Sequence, residues 1–441
     1  MKKVLILGAG RSASSLIKYL LDAATEFDYE ITVADASLEL VKQKTGNHPK
    51  SRAIALDIAN EPQALEEIGK ADLVISMLPA FLHPKIAKQC VGLKKSMVTA
   101  SYVSPEIKEL DADAKKAGIV LMNECGLDPG IDHASAMKSI HHIHETGGKL
   151  WGFKSYTGGL IAPESNDNPW GYKFTWNPRN VVLAGQGTAS YIESDKYYYI
   201  PYHKLFTRAE KIHVEGYGDF MGYANRDSLS YRSVYGIEDI PTMLRGTLRM
   251  PWYCEAWNVF VQLGLTDDSY HIAESDKMSY RQYIDAFVPA GKDDLKKRLA
   301  AYVGIPEKGK IMEMLNWLEI FEERPVKLKN ATPAQILQDL LEEKWKLKEG
   351  DTDMIVMQHQ FDYELKGKRY NLFSSLVVKG DDAMHTAMAK TVGIPMGIVT
   401  KHILNGDIKL KGVCIPTVKE IYEPLLKELE TLGISFRESY K

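Results

Sequence analysis

Gly8-Ala9-Gly10-Arg11-Ser12-Ala13 lies between the apolar run KVLIL (3–7) and the helix-like stretch SSLIKYLLDAA (14–24). A strand, a glycine-rich turn and a helix in that order leave the backbone few options. The first glycine permits a tight turn, the second a close approach to a diphosphate, and a small third residue lets helix and strand pack closely. The helix N-terminus offers backbone N–H groups and a partial positive charge to phosphates. Arg11 and Ser12 lie in the same turn, so Gly8, Gly10, Arg11, Ser12 and Ala13 together form the expected dinucleotide seat.

The next hundred residues repeat the alternation. EITVA (30–34), AIALDI (53–58), DLVISMLP (72–79), SMVTASY (96–102) and GIVLMNE (118–124) read as strands, each preceded by a helix-like segment. Six apolar strands separated by helices predict βαβ units and a doubly wound parallel sheet, the Rossmann form of α/β architecture. Asp35 ends the second strand. A carboxylate there suits the adenosine ribose hydroxyls and repels the extra phosphate of NADP, so NAD is the favoured cofactor, with NADP the alternative. The bland role for Asp35 is capping the next helix. Ligands bind outside the C-terminal ends of such strands, so Ser76, Met77 and Leu78 should border the nicotinamide half. Ser101 and Tyr102 follow the fifth strand, and Leu127, Asp128 and Pro129 the sixth, on the same rim. Asp128 precedes a helix and could simply cap it.

Beyond residue 125 the pattern changes. LWGFKSYTGGL (150–160) is strand-like, and residues 163–180 form a long loop or lid. Residues 253–348 read as mainly helical. Segments 354–365 and 370–380 read as a hairpin, and 383–393 as a helix capped by Gly393 and stopped by Pro395. The expected organisation is a dinucleotide-binding domain over 1–125, with 383–441 packing back onto it. A mixed α/β substrate domain covers 126–252 and 350–382, and a helical subdomain covers 253–349.

Composition narrows the function classes. The chain has 441 residues, 45% hydrophobic and 26% charged, with a formal net charge of −3. Nothing in that balance favours nucleic acid or an anionic membrane surface. No apolar run approaches the roughly 20 residues of a membrane-spanning helix. The first strand begins almost at Met1, so no signal peptide is expected, and the four scattered cysteines suit a reduced, cytoplasmic protein. His141, His142, His144 and Glu145 share a helix but lack a metal-binding spacing, and no metal is expected.

The strings NECGLDPGIDH, SYTGGLIAPESNDNPWGYKFTW, NRDSLSYR and RGTLR resemble the glutamate-forming saccharopine dehydrogenases, also called saccharopine reductases. The resemblance extends over nearly the whole chain and is weakest over 265–345. It implies a Rossmann domain, a mixed α/β domain that binds substrate and supports dimerisation, and a helical domain. It also implies interconversion of saccharopine with glutamate and 2-aminoadipate 6-semialdehyde, a nicotinamide cofactor, an amino-acid substrate and a homodimer. Carried over residue by residue, it implies substrate contacts at Ser101, Tyr102, Asp128, Arg226, Thr247, Leu248 and Arg249. It places Leu127, Asp128, Pro129 and Thr175 against the cofactor. Fungal NADP-using relatives carry an arginine at the strand end where this chain has Asp35, in keeping with NAD.

A substrate with three carboxylates needs fixed cations, and guanidinium forks match carboxylates. Arg245 and Arg249 share a face in either a helix or a strand, so one is expected to be structural and the other, Arg249, a ligand. Asp128 is the candidate for holding the amine and moving its proton; Tyr102 and a bound water are the alternatives. Two other functions fit parts of the pattern. A carboxynorspermidine-type dehydrogenase would reduce a related imine with fewer carboxylates. A catalytically silent dinucleotide-binding sensor or scaffold would bind cofactor without turnover.

Overall fold

The computed structural model describes residues 1–440. The first elements, in chain order, are β1 (Lys2–Leu7), α1 (Ser14–Ala23), β2 (Tyr29–Asp35), α2 (Leu38–Thr45), β3 (Ser51–Ala55), α3 (Glu61–Lys70) and β4 (Leu73–Ser76). They are followed by α4 (His83–Gly92), β5 (Ser96–Thr99), α5 (Pro105–Glu109), α6 (Asp111–Ala117), β6 (Val120–Met122) and α7 (Ile131–Glu145). Then come β7 (Lys149–Ile161), α8 (Pro178–Val182), β8 (Thr188–Glu193), β9 (Lys196–Pro201), α9 (Tyr202–Leu205), β10 (Glu210–Val214), β11 (Gly218–Ala224), α10 (Tyr231–Val234) and β12 (Thr242–Arg249). Five helices follow: α11 (Tyr253–Leu263), α12 (Tyr280–Asp285), α13 (Leu295–Val303), α14 (Lys310–Trp317) and α15 (Pro333–Lys344). The chain ends with β13 (Asp353–Leu365), β14 (Lys368–Lys379), α16 (Ala387–Asn405), β15 (Gly412–Cys414), α17 (Lys419–Thr431) and β16 (Phe436–Tyr440).

The chain divides into two compact units. The first holds Met1–Leu150, Tyr363–Arg369 and Leu376–Glu438; the second is built mainly from Trp151–Asp362 and Tyr370–Ser375.

The first unit contains a seven-stranded sheet in the order β15-β6-β5-β4-β1-β2-β3. All the described ladders in it are parallel. Residues such as Val4, Ile6, Val74 and Ile75 are fully buried because helices cover both faces of the sheet. Register aligns the strand ends. Leu7 pairs with Ala34 and with Ser76, and Ser76 pairs with Thr99. The turns that follow β1, β4 and β5 therefore emerge along one rim. The six-strand doubly wound sheet read from the sequence is present, and β15 extends it beside β6. Its three residues carried too little pattern to be legible.

The helix expected to stop at Pro395 instead runs through that residue to Asn405. Gly393 is not its cap. A Cβ at Gly393 would meet the Leu16 backbone nitrogen at 2.8 Å, so the glycine allows α16 to lie against α1. The helix is capped by Thr386 at its start and ends on left-handed Gly406.

The second unit is organised on a nine-stranded sheet with the path β10-β11-β12-β7-β13-β14-β16, to which β8 and β9 attach beside β12. The hairpin expected over 354–380 is β13 and β14. The loop 163–180 is packed rather than loose. Trp170 is fully buried and its indole N–H donates to the Met314 carbonyl at 2.9 Å. Lys173, 1% exposed, is held between Asp167 (2.9 Å) and Asp351 (2.7 Å). Among the described residues, no helix is long and apolar enough to cross a membrane.

Candidate active site

In the first unit, β1 ends in the glycine turn and the chain enters a short 3-10 turn, Arg11–Ala13, continuous with α1. Gly8 has φ +100°, a region that L side chains rarely adopt. A Cβ there would also sit 3.0 Å from the Met77 carbonyl oxygen. A Cβ at Gly10, in contrast, would meet nothing within 4 Å. Space therefore opens in front of the turn, as a bound diphosphate requires, and Ala13 is fully buried beneath it. The residues present fit a dinucleotide.

Asp35 is oriented by two backbone bonds. Its Oδ2 accepts from Ala9 N at 2.8 Å and its Oδ1 from Ser37 N at 3.0 Å. It does not cap α2; Ser37 does, accepting from Leu40 N. The carboxylate is thus fixed beside the glycine turn with lone pairs left over, since a carboxylate has about four acceptor sites. Lys44, which the sequence reading passed over, donates to the Gly10 carbonyl. Burial pulls its ammonium down to about 8, against the opposing pull of Asp35.

Farther along the rim, Ser76 Oγ lies 2.9 Å from His83 Nδ1, and Ser101 Oγ lies 2.8 Å from His83 Nε2. His83 is 2% exposed and burial pushes its pKa down to about 4, so the ring is neutral at ordinary pH. Met77 and Leu78 follow Ser76 and are half-buried; Tyr102 is 38% exposed. Glu124, buried, accepts from Val103 N at 3.1 Å through one oxygen and lies 2.7 Å from His133 Nε2 through the other. This links the segment after β5 to α7.

The Gly126–Gly130 turn carries Leu127, Asp128 and Pro129, with a cis Asp128–Pro129 bond. Gly126 N donates to the Pro129 carbonyl and Ile131 N to the Gly126 carbonyl, closing the turn on itself. Gly130, at φ +146°, has no room for a Cβ, which would fall 2.1 Å from Gly126 O. The helix that follows takes Gly130 as its N-cap residue, so Asp128 is not that cap. It is half-buried at the rim.

In the second unit, β12 carries Arg245, Thr247, Leu248 and Arg249. Arg245 lies over the Tyr231 ring at 4.1 Å. Arg249 is 4% exposed and surrounded by the rings of Tyr172 (5.4 Å), Tyr253 (5.4 Å) and Tyr223 (5.9 Å). Its Nη1 donates to the Leu248 carbonyl, and its Nε is buried without a partner among the described residues. Thr175, 2% exposed, likewise has a buried hydroxyl without a partner. Leu248 is fully buried and Thr247 half-buried, in register with Tyr223 and Thr157. Arg226 is exposed, in the left-handed region at φ +46°, just after β11.

Within the first unit the predicted residues fall on one rim. Within the second, Thr247, Leu248 and Arg249 share one strand, and Arg226 follows its neighbour. His83, Glu124, His133 and Lys44 were not singled out from the sequence. Glu124 and His133 lie inside the string NECGLDPGIDH, and His83 opens the helix after a rim strand, but none was given a role. His141 and Glu145, set aside as metal ligands, face Tyr422 and Lys419 respectively.

Two family models match the chain: saccharopine dehydrogenase NADP binding domain over residues 4–122, and saccharopine dehydrogenase C-terminal domain over residues 126–434. Among curated relatives, the saccharopine dehydrogenase (NADP(+), L-glutamate-forming) of Pyricularia oryzae is 36% identical, covering 99% of this chain and 98% of its own. The mitochondrial alpha-aminoadipic semialdehyde synthase of Bos taurus is 35% identical over 99% of this chain, which spans 47% of that longer protein. Among solved structures, apo saccharopine dehydrogenase (L-Glu forming) from Saccharomyces cerevisiae matches with a TM-score of 0.91 and 34% identity, covering 100% of both chains.

Proposed function

Because the chain belongs to the saccharopine dehydrogenase family, we propose that it interconverts saccharopine with glutamate and 2-aminoadipate 6-semialdehyde. The observation that carries the reading is Arg249, a buried cation whose Nε has no hydrogen-bond partner among the described residues. An unpaired buried charge costs several kcal/mol, so such a site suits an anionic ligand. A tricarboxylate substrate supplies one.

The residue roles follow from chemistry. In the second unit, Arg249 and Arg226 take carboxylates, with Thr247 and Leu248 shaping the contact, and Thr175, whose buried hydroxyl has no partner among the described residues, is a cofactor contact. In the first unit, Gly8 to Ala13 seat the diphosphate, and Ser76, Met77, Leu78, Leu127 and Pro129 line the nicotinamide half. A bound nicotinamide supplies the hydride acceptor for the carbon bearing the secondary amine. The amine must be neutral when that hydride leaves. Asp128 accepts its N–H and takes the proton, with Tyr102 or a bound water as the alternative. The substrate imine then takes up water and splits into the two products. Ser101 and Tyr102 orient the substrate; positioning of this kind supplies at best roughly 7–11 kcal/mol of the barrier reduction.

Asp35 supports NAD over NADP. Its carboxylate is held beside the glycine turn by Ala9 N and Ser37 N; there it would accept from ribose hydroxyls and repel a 2′-phosphate. The matching family model is named for NADP binding and the Pyricularia relative's name specifies NADP(+), so a preference for NAD would set this chain apart from both. The test is turnover of purified protein with saccharopine and each cofactor, followed at the reduced cofactor's absorbance. Absence of turnover with both would overturn the reading. Asp35→Arg is expected to raise the NAD KM at least tenfold and lower that for NADP; unchanged kinetics would remove Asp35 from the ribose site.

A further inference from the structure

One buried imidazole touches both sides of the rim. His83 opens α4, and its two ring nitrogens meet Ser76 at the end of β4 (2.9 Å) and Ser101 just past β5 (2.8 Å). Thr99 Oγ1, at 3.4 Å from Nε2, completes the lining and also accepts from Ser101 N at 3.3 Å. Ser76 and Thr99 are each 1% exposed, so water does not compete for the ring. We propose that His83 is a positioning residue that couples the substrate side of the rim, through Ser101, to the cofactor side, through Ser76. The proposal rests on the activity assigned above, and no part of the proton or hydride chemistry passes through the ring.

A neutral imidazole has one N–H and one lone pair. The two serines therefore cannot hold it in the same sense. If Nε2 carries the proton, it donates to Ser101 Oγ, and the Ser101 hydroxyl is free to donate to a substrate carboxylate. Nδ1 must then accept from the Ser76 hydroxyl, which leaves the Ser76 lone pairs to accept from an amide N–H, such as a nicotinamide carboxamide offers. In the other tautomer both serines reverse: Ser101 is spent on donating to the ring, and Ser76 donates outward. A carboxylate at Ser101 selects the first tautomer and so presets Ser76 for the cofactor. Reciprocity then requires cofactor binding to preset Ser101.

Two conservative variants separate the two halves. Asparagine places an amide near the Nδ1 position and retains Ser76; glutamine reaches the Nε2 position and retains Ser101. His83→Asn is expected to raise the saccharopine KM about tenfold, roughly the value of one hydrogen bond, with the cofactor KM within about twofold. His83→Gln is expected to do the reverse. In both, the dependence of each ligand's apparent affinity on the other is expected to fall to about one. Parallel changes in both KM values, a change in kcat alone, or coupling that persists would overturn the proposal. If neither variant folds, Ser76→Ala keeps the ring and provides the reading. With Ser76 gone, Nδ1 faces no donor and the ring favours the tautomer that frees Ser101, so saccharopine affinity is expected to become independent of the cofactor; a dependence that persists overturns the coupling. Wild-type protein inactive on saccharopine would defeat the assigned activity and this proposal with it. Active wild type with unsplit variants would defeat the coupling alone.

Discussion

Arg249 and Lys44 are two cations held in unfavourable places, one in each unit. Arg249 is buried among three tyrosine rings that supply cation–π attraction but no countercharge. Arg249→Met should therefore leave the ligand-free protein as stable or more so, by up to about 4 kcal/mol. The saccharopine KM should rise roughly 30-fold or more, about 2 kcal/mol of lost binding. Urea unfolding and steady-state kinetics measure the two sides; a large loss of stability with an unchanged KM would make Arg249 structural. Lys44 tests pH. Its folded value near 8 lies below the ordinary lysine value of 10.5 because of burial. Between those values the unfolded chain holds the proton that the folded chain has released, so this group's contribution to stability rises with pH across that window. Binding runs the other way. Above pH 8 the cation beside the Gly10 carbonyl is lost, so the cofactor KM is expected to climb between pH 7 and 9.5. Lys44→Met should flatten that climb.

At the level of elements, the packing of α16 on α1 underlies the dinucleotide seat. A Cβ on Gly393 meets backbone atoms of Leu16 and Ser12, which cannot rotate away as a side chain could. Gly393→Ala is expected to cost about 1–3 kcal/mol in urea unfolding and to weaken cofactor binding through the turn that carries Ser12. The same residue shows where pattern reading stops. The doubly wound sheet was legible because its strands are continuous apolar runs that repeat. Gly393 followed by Pro395 looked like a helix end because that is the commonest local meaning of the pair. The structure uses the glycine for space between two helices distant in sequence, a constraint with no local signature. His83 and Glu124 were missed for the same reason, since their partners come from other elements: the segment after β5 for both, and α7 for Glu124. Asp35 was legible as a position at a strand end, and the competing capping role went to Ser37.

At the scale of the molecule, the first unit is discontinuous in sequence. Its sheet begins with β1 and is completed by β15, and α16 covers α1, while most of the chain between Leu150 and Leu376 forms the second unit. A chain truncated before Ala387 should retain every residue of the glycine turn yet fail to bind NAD, which fluorescence titration of the reduced cofactor would show; undiminished binding would mean that α16 is dispensable to the seat. The arrangement also has a consequence in time. At roughly 5–20 residues per second of synthesis, α1 leaves the ribosome well before α16 exists, by something on the order of 20–75 seconds. Through that interval one apolar flank of the newborn nucleotide-binding half stays uncovered. Within this chain α16, made long after α1, is the element that shields it.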